Sequence, residues 1–330
     1  MMDKLPEVTI IVPVRNMRDT VRKCVESLLK LDYPDDRCRI IIVDGFSVDG
    51  TWEILQEYGG RVDLFQHEGH AAVTTNYAIS LVETPITCFT DADVIVDRKW
   101  VSELVLNMGE YKASAGFCAT PDGSGRFQKL VGRELEDRFK CFGEVIVRAP
   151  TMNLCVQSEA LREFMFDERL AVAYDTDFGY RFSGKYGGIK YVPSAVVYHH
   201  HRSDWNGFFR QQCKTAEYMP YLYLKHFNRS GGDHISKGGM IIQPFLMVSG
   251  LVLASAGFLH PFLFKIGVVF LGAESLIVLY DSARLSGSIS DFPYYVGIFT
   301  VRVIAWCLGL LKGVLRLPST IAVLYSAGRF

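Results

Sequence analysis

Four groups of ionisable residues in this 330-residue chain have types and spacings suited to chemistry. Asp91 and Asp93 lie in C-F-T-D-A-D-V, straight after an apolar run. Two carboxylates separated by one residue on extended chain can hold a divalent cation from one side. Such a cation bridges diphosphate oxygens and stabilises charge developing on a leaving nucleotide. Asp44 ends a second apolar run in I-I-I-V-D-G-F-S-V-D-G-T. There it can accept a hydrogen bond from a base N–H, with Ser47, Asp49 and Gly50 turning the chain into the next helix; it can equally cap that turn. Asp175 and Asp177, in A-Y-D-T-D-F-G-Y-R, fall at an expected helix start, as N-terminal caps or with one of them a general base. His199, His200 and His201 are adjacent on extended chain and cannot all point one way, so one or two can face a site and the rest the surface.

The elements that would position these residues alternate between strand and helix periods. Strands are expected at Val8–Val12, Arg39–Val43, Val62–Phe65 and Ile86–Thr90. Between them the helix period puts Met17, Val21, Val25 and Leu28 on one face, and predicts helices over Thr51–Tyr58 and Ala71–Leu81. A fourth helix would bury Trp100, Val101, Leu104, Val105 and Met108. This alternation predicts a parallel sheet covered on both faces, with ligands at the carboxyl ends of the strands, where the acidic residues fall. Residues 113–201 are less regular, with a helix expected near Phe127–Phe142 and strands near Asn153 and Ala195.

Charge divides the chain. From Met240 onward the charged residues are Lys265, Glu274, Asp281, Arg284, Asp291, Arg302, Lys312, Arg316 and Arg329, leaving 29 of 35 Lys plus Arg and 33 of 36 Asp plus Glu before them. The first part has the composition of a soluble domain of net charge about -4, and near-neutrality overall argues against a nucleic-acid partner. Ile241–Leu259 and Phe262–Tyr280 are long enough to cross a hydrocarbon core of about 30 Å, joined by a tight hairpin at His260-Pro261. Tyr294–Leu315 is a third candidate that carries Arg302 and Lys312, and either crosses or lies shallow, because a full crossing would put Arg316 and Arg329 outside. Glu274 and Arg302 are expected near one another, since isolated charges at that depth are costly. The aromatic helix Ser203–Leu224 reads as interfacial or core-packing, and Asn228–Gly239 as a linker. Eight scattered cysteines without close spacing fit reduced thiols in a cytosolic setting, and Met1–Asp19 lacks the apolar stretch of a secretory signal.

Together these features resemble family 2 glycosyltransferases of the GT-A fold. The matching stretches are I-V-P-V-R-N (11–16), V-D-G-F-S-V-D-G-T (43–51), T-N-Y-A (75–78), F-T-D-A-D (89–93), F-D-E-R-L (166–170), D-T-D-F-G-Y-R (175–181) and V-P-S-A-V-V-Y-H-H-H-R (192–202), in the family's order. The resemblance implies inverting transfer of a sugar from a nucleotide-sugar donor. It implies that Pro13, Arg15 and Asp44 contact the nucleotide, that Asp91 and Asp93 hold Mg or Mn, and that His199 is a further metal ligand. It places Asp175 at the catalytic base, with Arg181, and Gln211 with Lys214, as contacts to the diphosphate or acceptor. Two positions depart from the family's pattern: Gly45 replaces a second aspartate, and Tyr174 replaces the Glu of a Glu-Asp pair, which leaves Asp175 or Asp177 as the base.

The expected fold class is α/β, a GT-A (Rossmann-like) domain followed by a transmembrane helical region. The expected division is a catalytic domain over 1–202, an interfacial helix and linker over 203–239, and membrane helices over 240–330. The expected function is transfer to a hydroxyl of a lipid-linked acceptor at the cytoplasmic face of the cell membrane. A polyprenyl-phosphate (dolichyl-phosphate) sugar synthase is the alternative. A non-catalytic nucleotide-sugar sensor would have no need of a base, and two or three spans without an internal repeat do not suit a transporter.

Overall fold

The computed structural model describes residues 5–326. Strand β1 (Val8–Val14) and strand β2 (Cys38–Asp44) pair in parallel, with Val14 opposite Asp44. Strand β3 (Asp63–Gln66) joins β2 with Gln66 opposite Asp44, and β4 (Ile86–Phe89) joins β1 on its other side. The four carboxyl ends therefore lie along one edge, as parallel pairing requires. β1, β2 and β4 are rich in β-branched residues and largely buried, the composition of strands covered on both faces, whereas β3, at the edge, is part-exposed. Helix α1 (Val21–Leu28) buries Val21, Cys24, Val25 and Leu28, one stripe at helix spacing. Helices α2 (Thr51–Gln56), α3 (Ala71–Ser80) and α4 (Trp100–Leu106) follow, with β5 (Val94–Val96) before α4.

Beyond β4 the sheet stops being parallel. Strands β6 (Ala113–Ala119), β7 (Val145–Ile146), β8 (Leu154–Gln157) and β9 (Ile189–His199) complete nine strands in the order β3-β2-β1-β4-β8-β6-β9-β5, with β7 on β9. β8 is antiparallel to β4 and β6, and β5 is antiparallel to β9, with Val94 opposite His199. The register of β6 on β9 shifts between Gly116 and Phe117. A Cβ at Gly116 would lie 1.9 Å from the Ala195 carbonyl oxygen, so only glycine permits this approach. Buried Asn153 ties the irregularity together: its amide donates to the carbonyls of Phe117 and Ala195, each at 3.0 Å, and accepts from Trp100 Nε1 at 2.8 Å.

Helices α5 (Arg126–Lys140), α6 (Ser158–Phe164) and α7 (Tyr174–Tyr186) lie among these strands in sequence. The chain divides into two units, one made of residues up to Ser124 with Leu135–His200, the other of Gly125–Glu134 with the chain from His201. The first half of α5 thus belongs with the C-terminal helices, a division that no composition change marks.

The second unit holds α8 (Trp205–Lys225), α9 (Gly238–Ser255), α10 (Pro261–Leu285) and α11 (Asp291–Ser326). Three stretches are long and apolar enough to cross a membrane: Gly238–Phe258, Pro261–Leu285 and Asp291–Leu317. The turn between α9 and α10 is tight, with His260 Nδ1 accepting from Phe262 N at 3.2 Å and Pro261 opening the helix. α9 and α10 approach closely through small residues: a Cβ at Gly267 would meet Ala254 N at 2.3 Å, and one at Gly250 would meet Leu271 at 2.8 Å. Arg302 does not pair with Glu274. It forms a buried ion pair with Glu134 of α5 and lies over the Phe299 ring at 4.6 Å. Its neighbour on α10 is Asp281, two helical turns beyond Glu274. Arg316 pairs with Glu217 of α8. Arg329 lies outside the described residues.

Candidate active site

The first loop of the site leaves β1 through Pro13 and Arg15, and the second leaves β2 through Asp44. Side chains sew the two loops together. Asn16, at φ 54°, takes the amide of Val48 on its Oδ1 at 2.9 Å and donates its own N–H to Ser47 Oγ at 2.8 Å. Met17 N donates to Thr51 Oγ1 at 2.8 Å, and Arg18 N to Asp49 Oδ2 at 3.2 Å. Asp44 is 0% exposed. Its Oδ1 accepts from Ser47 Oγ at 2.5 Å, and its Oδ2 from Ser47 N at 3.1 Å and Gln66 Nε2 at 2.9 Å. In this conformation it is a hub, holding a loop and a side chain. Arg15 is exposed on the protein surface and reaches back to the Gly69 carbonyl at 3.4 Å. Its stem covers Gly45, where a Cβ would lie 3.1 Å from the Gly69 oxygen and 3.4 Å from Arg15 Cδ. The missing second aspartate therefore coincides with a close approach of Arg15.

The acidic centre follows β4. Asp91, Ala92 and Asp93 make the turn into β5, and pairing of β5 with β9 brings His199 Nε2 within 3.5 Å of Asp93 Oδ2. His200 N donates to the Asp93 carbonyl at 3.0 Å. Asp91 is pushed well above the usual carboxylate range by burial and by the charge of Asp93, with Asp175 adding to it. His199 loses something to burial, but Asp93 and the Cys118 thiol outweigh that and raise it to about 10. His199 thus lies beside Asp93 as its charge partner, next to the carboxylate that the sequence assigns to the metal. Among the described residues no three His, Cys, Asp or Glu side chains gather as a ready metal set. The protein offers two carboxylates whose mutual repulsion a divalent cation would relieve. The remaining positions would fall to phosphate oxygens and water, the way Mg²⁺ is commonly held beside nucleotides.

Asp175 and Asp177 separate cleanly. Ala173, at φ 64°, turns the chain sharply into α7, a conformation that costs a non-glycine residue about 1 kcal/mol or more. Asp175 is partly buried, accepts from Thr176 N at 2.7 Å and is raised by burial, an effect the Arg148 guanidinium partly offsets. Arg148 itself is buried and donates to Thr176 Oγ1 at 3.1 Å. A Cβ at Gly179 would lie 2.4 Å from Arg148 Cβ, so glycine there admits the arginine. Asp177 is fully buried and paired with Arg181 Nε at 2.8 Å. Arg181 also donates to the carbonyls of Phe164 and Met165. Arg181 is therefore a clamp on the segment before α7, not the diphosphate or acceptor contact expected from sequence. Gln211 and Lys214 are exposed on α8 of the second unit.

The site thus brings Asp91, Asp93, Asp175 and His199 into one electrostatic neighbourhood. Three residues in or beside it have partners that the sequence did not reveal. Gln66 bonds Asp44 and Arg148 supports Asp175, while Asn76 takes the Phe166 amide and donates to its carbonyl, each at 2.9 Å. The T-N-Y-A stretch pointed at Asn76 without indicating its partner.

Residues 9–170 match the family described as Glycosyl transferase family 2. The "Probable glycosyltransferase YdaM" of Bacillus subtilis is 25% identical over 251 residues, covering 68% of this chain and 58% of that protein. The "Pre-mycofactocin glycosyltransferase" of Mycobacterium tuberculosis is 24% identical over 265 residues, covering 74% of this chain and 53% of that protein. The chain thus spans little more than half the length of these relatives. Among solved structures, the mannosyltransferase PcManGT of Pyrobaculum calidifontis, in complex with GDP-Man and Mn²⁺, superposes with a TM-score of 0.60 at 18% identity, over 93% of this chain and 87% of that one. Residues 9–170 thus carry a glycosyl transferase family 2 domain, on a GT-A fold followed by apolar helices long enough to cross a membrane.

Proposed function

We propose that the protein is an inverting glycosyltransferase that moves a sugar from a nucleotide-sugar donor to a hydroxyl of a lipid-linked acceptor at the cytoplasmic face of the membrane. The observation that carries this is Asp175, raised by burial, without the kind of ion pair Asp177 makes among the described residues, and close enough to Asp91 to raise it. Asp91 and Asp93 would hold Mg or Mn, which when bound neutralises the diphosphate as it leaves. Asp175 takes the proton of the acceptor hydroxyl while the new bond to the anomeric carbon forms and the bond to the diphosphate oxygen breaks. Arg148, tied to Thr176, offsets part of the burial that raises Asp175. A polyprenyl phosphate is already anionic and needs no base, so a positioned carboxylate favours a hydroxyl acceptor.

The close hairpin of α9 and α10, with only 17% of each apolar window buried, supports anchoring in lipid. α11 packs along α8, with Trp306 Nε1 bonded to Gln212 at 2.9 Å and Arg316 paired to Glu217. Its polar partners suit an interfacial placement better than full exposure to hydrocarbon.

Asp175→Asn tests the reading. The variant should keep donor binding and lose transfer by about 10²- to 10⁴-fold, the usual contribution of a positioned base. Unchanged transfer, or plain polyprenyl phosphate as the best acceptor, would replace the hydroxyl assignment with the synthase reading. EDTA should abolish transfer as Asp93→Ala does.

A further inference from the structure

We infer that Cys118 is a positioning residue for the metal site: its sulfur holds the His199 ring by Nδ1, so that Nε2 faces Asp93 and the cation bound there. This rests on the reading of Asp91 and Asp93 as the carboxylates of a divalent cation.

The three residues meet through the sheet. β9 runs between β6 and β5, with Cys118 opposite Val197 on one side and Val94 opposite His199 on the other. Side chains alternate along a strand, so Val197 and His199 share a face. Cys118 therefore lies diagonally across from His199, a separation that a long or aromatic side chain spans. Asp93, the residue before Val94, reaches the same ring from the β5 side.

Each partner leaves the ring one role. Nε2 is the nitrogen within 3.5 Å of Asp93 Oδ2. Nδ1 is buried, and the Cys118 thiol acts on the ring as a hydrogen-bonding neighbour. A thiol has one hydrogen to give and a sulfur that accepts weakly. The Cys118 hydrogen is directed at Met152 Sδ, 4.0 Å away in the core. What Cys118 presents to the histidine is then its acceptor, which requires a hydrogen on Nδ1. A neutral imidazole with its hydrogen on Nδ1 carries the lone pair on Nε2. With or without a second hydrogen on Nε2, the Nδ1 hydrogen stays with the sulfur. A partner on the far nitrogen of a ligating histidine fixes tautomer and ring orientation in this way. Cys118 is 1% exposed, so water does not compete for the sulfur.

The test is Mn²⁺ binding by the detergent-solubilised full chain, alone and with UDP or GDP, read from the electron paramagnetic resonance of the free ion. The wild type should bind Mn²⁺ and Asp93→Ala should not. Cys118→Val keeps a side chain of similar size and removes the acceptor. It should weaken binding about tenfold or more, the usual loss when the outer partner of a ligating histidine is removed. Cys118→Ala, which adds no bulk, should agree with it, and Cys118→Ser, which restores an acceptor, should recover most of the affinity. On a His199→Ala background, Cys118→Val should change nothing further, because the sulfur acts only through the ring. Melting curves of the metal-free variants establish that each compared protein is folded. Wild-type affinity in Cys118→Val and Cys118→Ala, no recovery in folded Cys118→Ser, or a further loss on the His199→Ala background would each overturn the inference. A wild type that binds no Mn²⁺, or Asp93→Ala binding it equally well, would remove the metal reading itself and this inference with it.

Discussion

At the scale of single residues, Asp175 and Asp177 show how two carboxylates in one helical turn take different work. Asp175 is raised by burial, so the folded protein holds its proton more tightly than the unfolded chain does. The sign follows from linkage: its contribution to stability is full below the ordinary value of 3.8 and is lost as pH rises through the raised value. Asp175→Asn keeps an oxygen for the Thr176 amide and never ionises. Its melting temperature without metal or donor should therefore equal or exceed the wild type's at pH 8, the gain vanishing in acid, although transfer is lost. Asp177→Asn should do the opposite. It strands Arg181 beside two carbonyls, and removing one partner of a buried pair typically costs about 3–5 kcal/mol, so the melting temperature should fall sharply. A melting curve for each variant separates base from clamp. The sequence placed both at a helix start but could not rank them by geometry, because Arg181, the partner of Asp177, is held by the carbonyls of Phe164 and Met165, more than ten residues away. Gln66 was illegible for the same reason: its partner lies 22 residues earlier on a neighbouring strand. Asp44, Asp91 and Asp93 were legible because each follows an apolar run long enough to be read as a strand.

At the scale of elements, the alternating first half was readable from period alone, with α1 burying the predicted Val21, Val25 and Leu28. The second half was not. β5 has three residues and β7 two, too short for alternation to register, and the shift at Gly116 depends on Asn153 and Ala195 meeting across the sheet. Arg302, expected near Glu274, takes Glu134 as its ion-pair partner, because helical rise alone ignored α5, which reaches Arg302 from another part of the chain. That pair gives an element-scale prediction. Both side chains are nearly inaccessible, at 4% and 10% exposed. Glu134→Leu alone should destabilise the solubilised protein by about 3 kcal/mol or more by leaving a buried cation. Glu134→Leu with Arg302→Met should recover most of that loss, because apolar replacement of a whole buried pair is often close to neutral. Thermal unfolding of the two variants measures the difference, and a double variant as unstable as the single one would mean the pair contributes more than its mutual neutralisation.

At the scale of the whole molecule, the remaining question is which side of the membrane each part occupies, and the chain carries its own reporter. Lys225, Arg229 and Lys237 precede α9 and Arg284 closes α10, against Lys265 alone near the tip of the hairpin. Cations concentrate on the cytoplasmic side of membrane segments, so the expected orientation has the tip of the hairpin outside and the N-terminal unit in the cytoplasm. The apolar faces agree with insertion: Phe245, Val252, Phe258, Phe262, Val269 and Leu276 are all exposed on the hairpin. Among the described residues the exposed cysteine is Cys141, at the end of α5, whereas Cys24, Cys88, Cys118, Cys155 and Cys213 are buried. Cys38 is partly buried and raised to about 12 by burial, so little of it is thiolate near neutrality. An impermeant maleimide should therefore label Cys141 in inside-out vesicles and leave it unlabelled in right-side-out vesicles until detergent is added. Cys141→Ser should remove the signal in both, and carbonate washing should leave the protein in the membrane pellet. Labelling of Cys141 in sealed right-side-out vesicles would place the nucleotide site outside, where cytosolic nucleotide sugars cannot reach it. The proposed donor would then have to be abandoned together with the orientation.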